Sequence, residues 1–363
     1  MRRAGVLPPR TRPRGNACRI GTAPIRRLLC VVGAVAGCCA AISAAAQLNL
    51  YCSSPNTAWC QGVAVGFEKV SGVRVAVVQK ATGEMLAQVK AERANPKGDV
   101  WWAGPADSYL QAADEGLLEA YRSPNLGELH EWARHVSEVS QFRVSGVYGG
   151  ILALGYNTEL QQKRKLPVPR CWKDLLDPAY RGEVMLANPN SSGTAYLMLA
   201  SLVQVFGEDE AFRYMKALNA NVTSYARSGI GPMTAVKQGE VYIGSTVLHG
   251  VINEIVAGYP VKPVLPCEGV GYEVGSMAII KGARNLANAK KFVDWALTAE
   301  AQKIGLDIKE YAIPTNRSVA LPPMVPNLSE VKVIRYDFAK YGASDTRKRL
   351  LERWEKDINA SVR

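Results

Sequence analysis

The chain has 363 residues, 48% hydrophobic and 21% charged, a length that suits two ordinary domains and a composition that excludes disorder, collagen and coiled coil. Most of its net charge of +12 sits in the first 46 residues, which hold eight Arg and no acidic side chain. The remainder carries 36 basic against 32 acidic residues, so no nucleic-acid partner is expected.

Residues 1–46 read as an export signal. An Arg-rich stretch ends at Arg26-Arg27, an apolar run covers 28–42, and the small-residue site Ala44-Ala45-Ala46 precedes Gln47. The expected destination is the periplasm. A second reading takes Val35-Ala36-Gly37-Cys38 as a lipoprotein cleavage box anchoring the chain at Cys38, and Arg26-Arg27-Leu28-Leu29 faintly suggests twin-arginine export.

Beyond the leader, strand-like and helix-like segments alternate, which predicts an α/β fold. Strands are expected over 48–51, 73–78 and 99–102, the last broken at Gly104-Pro105, and helices over 59–70, 84–93 and 109–118. Each unit is a strand, a polar turn and a helix. Helix N-termini should then gather at the carboxyl edge of a mostly parallel sheet, where ligands bind in open α/β folds. A second block follows Ser145-Gly146-Val147-Tyr148-Gly149-Gly150, with strands over 184–187 and 241–247 and a long helix from Ala195. The Pro/Gly-rich run 265–271 returns the chain to the first block, which a strand over 275–281 and a helix over 287–297 complete. Charged helical sequence from Val331 closes the chain. The expected organisation is one lobe of 47–147 plus 272–316, a second of 148–271, and a helical segment 317–363 packing on both. One lobe built from two separated segments implies a hinged cleft.

Four of the eight Cys, namely Cys52, Cys60, Cys171 and Cys267, lie beyond the leader. An even count in an oxidising compartment predicts disulfides, with three pairings open. Cys52–Cys60 would close a short loop and Cys171–Cys267 a long one; free buried thiols are the alternative. Without any Cys-x-x-Cys, neither a redox motif nor a zinc knuckle is supported.

Catalysis finds little support. His130 and His135 fall ~140° apart on one helix, a spacing that misses the zincin motif, and no nucleophile elbow, Walker loop or dinucleotide fingerprint occurs. No metal or cofactor is expected. The most informative stretch is Asn188-Pro189-Asn190-Ser191-Ser192-Gly193-Thr194-Ala195-Tyr196. Ser192, Gly193 and Thr194 would present amide N–H groups and hydroxyls at the positive end of a helix, a cradle for phosphate, phosphonate or carboxylate. An ordinary Ser/Thr cap is the plain alternative. Ser53, the turn Thr82-Gly83-Glu84 and Ser228-Gly229 repeat the arrangement. His249, placed at the end of a strand, and Glu273 are candidates for ligand hydroxyls. Of the alternating pair Trp101-Trp102, one should enter the core and the other, Trp102, floor the cleft.

Tyr51-Cys52-Ser53 with Trp59-Cys60, then Thr82-Gly83-Glu84, Gly98-Asp99-Val100-Trp101-Trp102, Ser191-Ser192-Gly193-Thr194-Ala195-Tyr196 and Pro266-Cys267-Glu268-Gly269-Val270-Gly271-Tyr272-Glu273 together resemble bacterial extracellular solute-binding proteins of ABC importers, in the ferric-binding-like branch. The resemblance covers 47–316. It implies a type-II periplasmic-binding-protein fold, two α/β lobes around a hinged cleft, and a monomer that delivers its solute to a permease with a cytosolic ATPase. Ferric-binding relatives use a Tyr-Tyr pair, which this chain lacks, and hard Fe3+ wants phenolate and carboxylate oxygen. Relatives that take hexose phosphates carry His-Asp and a later Glu. His249 and Glu273 match these, and Gly250 stands in place of the Asp. The resemblance therefore implies a receptor for a small anionic solute (an organophosphate, sugar phosphate or phosphonate), with ferric iron, thiamine or its phosphates, and a secreted two-domain enzyme as the alternatives. Its implied site is Ser53, Thr82, Gly83, Trp102, Ser192, Gly193, Thr194, His249 and Glu273.

Overall fold

A computed structural model of the protein describes residues 47–328 and 331–359; the predicted export signal, with Cys38, lies outside them. Eleven strands make one sheet. They are β1 (Gln47–Cys52), β2 (Arg74–Gln79), β3 (Val100–Pro105), β4 (Leu118–Glu119), β5 (Ser145–Asn157), β6 (Val184–Ala187), β7 (Val222–Ala226), β8 (Ile243–Val247), β9 (Val261–Val264), β10 (Tyr272–Ile280) and β11 (Ile313–Pro314). The main path runs β2-β1-β3-β10-β5-β8-β6-β7, with β4 attached to β10 and both β9 and β11 to β5.

The central strand β5 belongs to both halves of the sheet. Through Ile151 it pairs antiparallel with β10, and from Leu152 onward it pairs with β8 and β9. One half-sheet thus holds β1, β2, β3 and β10, and the other β6, β7 and β8. The expectation of a mostly parallel sheet needs correction. Only β1–β2, β1–β3, β6–β7 and β6–β8 are parallel, and every pairing of β5 or β10 is antiparallel. The strand–turn–helix units do give parallel neighbours, as βαβ crossovers require. The two strands that carry the chain from one half to the other enter against that direction.

Local chemistry sets the helices. Asn56 caps helix Thr57–Ser71, its side chain accepting from Trp59 N, and Gly72 at φ 68° ends the helix with a bond to Glu68 O. Ser192 caps helix Gly193–Phe206, which is buried at nearly every position from Ala195 to Val203 and so packs as a core helix. Two aromatic contacts mark the cores: Trp101 stacks on Tyr109 with centroids 3.9 Å apart, and Phe67 meets Phe292 edge-on at 5.1 Å. Disulfides join Cys52 to Cys60 and Cys171 to Cys267. The C-terminal helix Ser344–Asp357 touches both halves. Ser344 bonds Asp114 and Glu115 on one side, and Arg353 pairs with Glu208 and Asp209 on the other.

Candidate functional site

A cavity of about 260 Å³ is lined by residues from both half-sheets. At one end lie the turns that follow β1, β2 and β6. Thr82 opens helix Thr82–Ala91, and Ser192-Gly193-Thr194 opens helix Gly193–Phe206. The two turns approach closely: a Cβ on Gly193 would lie 3.2 Å from Thr82 Cβ and 2.8 Å from Pro105 Cδ. Ser228 and Gly229 close the same end against Thr194. The first amide groups of these helices have no intrahelical partner and carry the positive end of the helix dipole.

Two hydroxyls here are already oriented. Ser53 Oγ accepts from Trp101 Nε1 at 2.8 Å, and Ser192 Oγ accepts from Ala195 N at 3.2 Å. Each oxygen accepts a hydrogen bond from the protein, which leaves its own O–H to donate. The Ser192 cap leaves the same atoms open to an anion, so the two readings of this turn do not compete. Among the lining residues, Lys80 is the one Lys or Arg, and it is exposed at the rim. An anion at this end would therefore meet neutral donors.

The other end is acidic and aromatic. Glu273 on β10 pairs in register with Gly150 on β5. His249 stands in the first turn of helix Leu248–Val256, because β8 already ends at Val247; the expectation that it closes a strand is corrected by one turn of helix. Gly150 is the floor beneath both. A Cβ there would meet Glu273 Oε1 and His249 Cε1 at 3.0 Å each, so only glycine leaves room for the pair. Glu273 Oε2 and His249 Nδ1 are buried without a hydrogen-bond partner, whereas buried polar atoms in folded proteins are nearly always paired. Glu310 joins them. One of its oxygens accepts from Asn253 Nδ2 at 2.9 Å and lies 3.7 Å from His249 Nε2, and the other accepts from Asn56 Nδ2 at 2.7 Å. Its carboxyl group therefore ties the helix after β1 to the helix after β8. Tyr148, whose hydroxyl accepts from Gly104 N at 3.1 Å, and Trp59 complete the wall.

Burial pushes the Glu273 carboxyl up to about 8, with Asp107 and Glu310 adding to the shift and the Tyr148 hydroxyl opposing it. Burial also pulls the His249 imidazole below its usual value, against the pull of Glu310. Below pH 4.5 Glu273 holds its proton folded or unfolded. Between there and about 8 the unfolded chain ionises it and the native state does not, so its contribution to stability falls as pH rises and levels off above about 8. Glu273→Gln removes this slope. The variant is expected to gain on the parent by on the order of 1.4 kcal/mol per pH unit across that window, measured by urea unfolding at pH 5 and pH 8.

Ser53, Thr82, Ser192, Gly193, Thr194, His249 and Glu273 thus line one cavity, and Gly83 and Trp102 do not. Trp102 points from β3 toward helix Thr57–Ser71 and packs edge-on against Trp59 at 5.0 Å; Trp59 is the indole that faces the cavity. Gly83 instead sits at the cavity's edge, its N–H donating to Ser191 O at 3.0 Å. Sequence reasoning missed Trp59, Lys80, Tyr148 and Glu310. Tyr148 lay within the glycine-rich crossing already singled out, whereas the loop acid Glu310 follows no pattern that marks it.

A profile described as "Bacterial extracellular solute-binding protein" matches residues 99–341. An uncharacterized protein of Haemophilus influenzae is 42% identical over 318 residues, covering 87% of this chain and 92% of its own. The solved structure of the periplasmic binding protein AfuA from Actinobacillus pleuropneumoniae, with exogenous fructose-6-phosphate bound, is similar at 41% identity and a TM-score of 0.85, covering 87% of this chain and 99% of that one. The periplasmic binding protein P5PA is similar at 36% identity and a TM-score of 0.83, covering 86% and 99%.

Proposed function

The chain belongs to the bacterial extracellular solute-binding protein family, and we propose that it acts in the periplasm as the monomeric receptor of an ABC importer for a small phosphate ester or phosphonate. In this reading the lobes are 47–147 with 272–316 and 148–271, with 317–363 packed across both. They close on the solute, and the closed form engages the permease and its ATPase. The single observation that carries the reading is the ring of donors from both halves around one end of the cavity. Ser53 and Thr82 come from one half and Ser192, Gly193 and Thr194 from the other. Such a ring gains its full strength only when the halves meet, so binding and closure are one event. The similarity to AfuA, solved with fructose-6-phosphate bound, supports the same ligand class.

The ferric-iron alternative finds no support in the cavity's chemistry. Tyr148 is the one tyrosine in its lining, so the pair of phenolate oxygens that suits hard Fe3+ has no counterpart there. Thermal shift against glucose 6-phosphate, fructose 6-phosphate, alkylphosphonates, thiamine phosphate and ferric citrate tests the class. A micromolar ligand at millimolar dose adds about 4 kcal/mol. Thr194→Val is expected to weaken the best phosphate ester by about tenfold or more, the scale of a hydrogen bond to a charged group, in titration calorimetry. Unchanged affinity would remove Thr194 from the cradle.

A further inference from the structure

The cavity is electrically lopsided. Its phosphate end is built from helix N-termini and hydroxyl donors, whereas its far end holds two buried acids, Glu273 at 2% and Glu310 at 5% exposure. Among the described lining residues no Lys or Arg stands at that far end. Lys80 stands at the rim, and burial keeps His249 neutral. The start of helix Leu248–Val256 adds a positive dipole end near Glu310, worth about half a charge, against two carboxyl groups. Glu310 is held in place by an amide on each oxygen, Asn56 Nδ2 and Asn253 Nδ2. Glu273 keeps Oε2 buried and unpartnered. The aromatic faces of Trp59 and Tyr148 line the same wall, and such faces attract cations.

We propose that the solute is zwitterionic: its phosphate or phosphonate occupies the Ser192–Thr194 cradle, and a protonated nitrogen at its other end lies between Glu273 and Glu310. This rests on the anion reading above and adds the second charge. A neutral hydroxyl tail would leave Glu273 protonated. An ammonium or other N–H cation forms similar bonds, and its charge favours the ionised carboxylate. The groups that face Glu273 are Tyr148 from β5, His249 from helix Leu248–Val256, Glu310 from the loop before β11, and at longer range Asp107 from helix Ala106–Asp114. None of them supplies a cation, so a cation beside Glu273 would come from the ligand. Since unliganded Glu273 holds its proton near neutral pH, binding such a ligand should release that proton to solvent.

Matched pairs isolate the second charge: phosphoethanolamine against ethyl phosphate, and glucosamine 6-phosphate against glucose 6-phosphate. Titration calorimetry at pH 7 on the mature protein, in two buffers of different ionisation enthalpy, reads affinity and proton release together. The amine-bearing member is expected to bind about tenfold tighter or better at pH 7, the gain reached when the ligand takes the Glu273 pKa from about 8 to about 6, and to release close to one proton. Glu273→Gln and Glu310→Gln should each shrink the ratio within a pair, and Glu273→Gln should abolish the proton release. Equal affinity within both pairs without proton release, or preference for the neutral member, overturns the cation subsite while leaving the phosphate cradle standing. Failure of all four compounds, in a protein that folds, overturns the cradle itself.

Discussion

Gly83→Ala is expected to weaken the binding of a phosphate ester by about 30- to 150-fold while leaving the unliganded protein at least as stable as the parent. The glycine stands where the halves meet, next in the chain to Thr82 of the cavity lining. Its N–H donates to Ser191 O across the gap, and beside it Glu84 pairs with Arg227 from the other half. A Cβ at this position would lie 2.2 Å from Asn190 O and 2.9 Å from Ser191 O. Both are backbone atoms, which cannot rotate away. The halves must part, losing a hydrogen bond worth about 1 kcal/mol and adding overpacking of about 1–2 kcal/mol, the lower part of its usual cost; a combined total of about 2–3 kcal/mol corresponds to that range of affinity at 1.4 kcal/mol per decade. With the halves apart there is no clash. Alanine also suits a helix better than glycine by up to about 1 kcal/mol, so the unliganded melting temperature should hold or rise. Calorimetric titration beside a thermal melt separates the two effects. Affinity within threefold of the parent would show that closure does not pass through this contact.

The sequence points to Gly83 as a cradle amide, whereas the structure puts it outside the cavity lining and in contact with the opposite half. The run Ser192-Gly193-Thr194 announces a helix start after a strand, and Thr82-Gly83 announces another. Local chemistry of this kind is encoded within a few residues, and the structure puts Thr82 of one turn and Ser192, Gly193 and Thr194 of the other on the cavity. What local sequence lacks is the approach of one turn to the other. Gly83 reads as one more cradle amide until Asn190 O is seen above it. The Trp101-Trp102 pair shows a similar limit. Alternation along β3 correctly sends the two rings to opposite sides, with Trp101 against Tyr109 and Trp102 against Trp59. It does not say which side the cavity occupies, and Trp101 acts there only through its bond to Ser53. Glu310 was beyond reach for another reason. Its partners Asn56 and Asn253 are 254 and 57 residues away in the chain, and no periodicity links a loop acid to amides so distant. The direction of β5 and β10 depended on the same long-range return of the chain.

Replacing Cys171 and Cys267 together by Ser is expected to destabilise the protein by about 4–5 kcal/mol, against roughly half that for the Cys52 and Cys60 pair. A crosslink acts chiefly on the unfolded chain, and the entropy it removes grows with the logarithm of the loop it closes. The separations are 96 and 8 residues. Around the longer link the native bonds do not depend on sulfur. Cys267 N donates to Arg170 O, and Glu268 accepts from the amides of Trp172 and Lys173. The folded region should therefore keep its shape, and the loss should appear as an expanded unfolded state. In urea this reads as a lower midpoint together with a steeper slope, since the slope follows the surface exposed on unfolding. Neither Cys171 nor Cys267 lines the cavity, so solute affinity measured well below the melting point should not change. The long link and Gly83 are then complementary probes: one lowers stability and spares binding, the other lowers affinity and spares stability. A double-Ser variant that lost affinity along with stability would mean that the strand returning through Cys267 to β10 helps to set the position of Glu273.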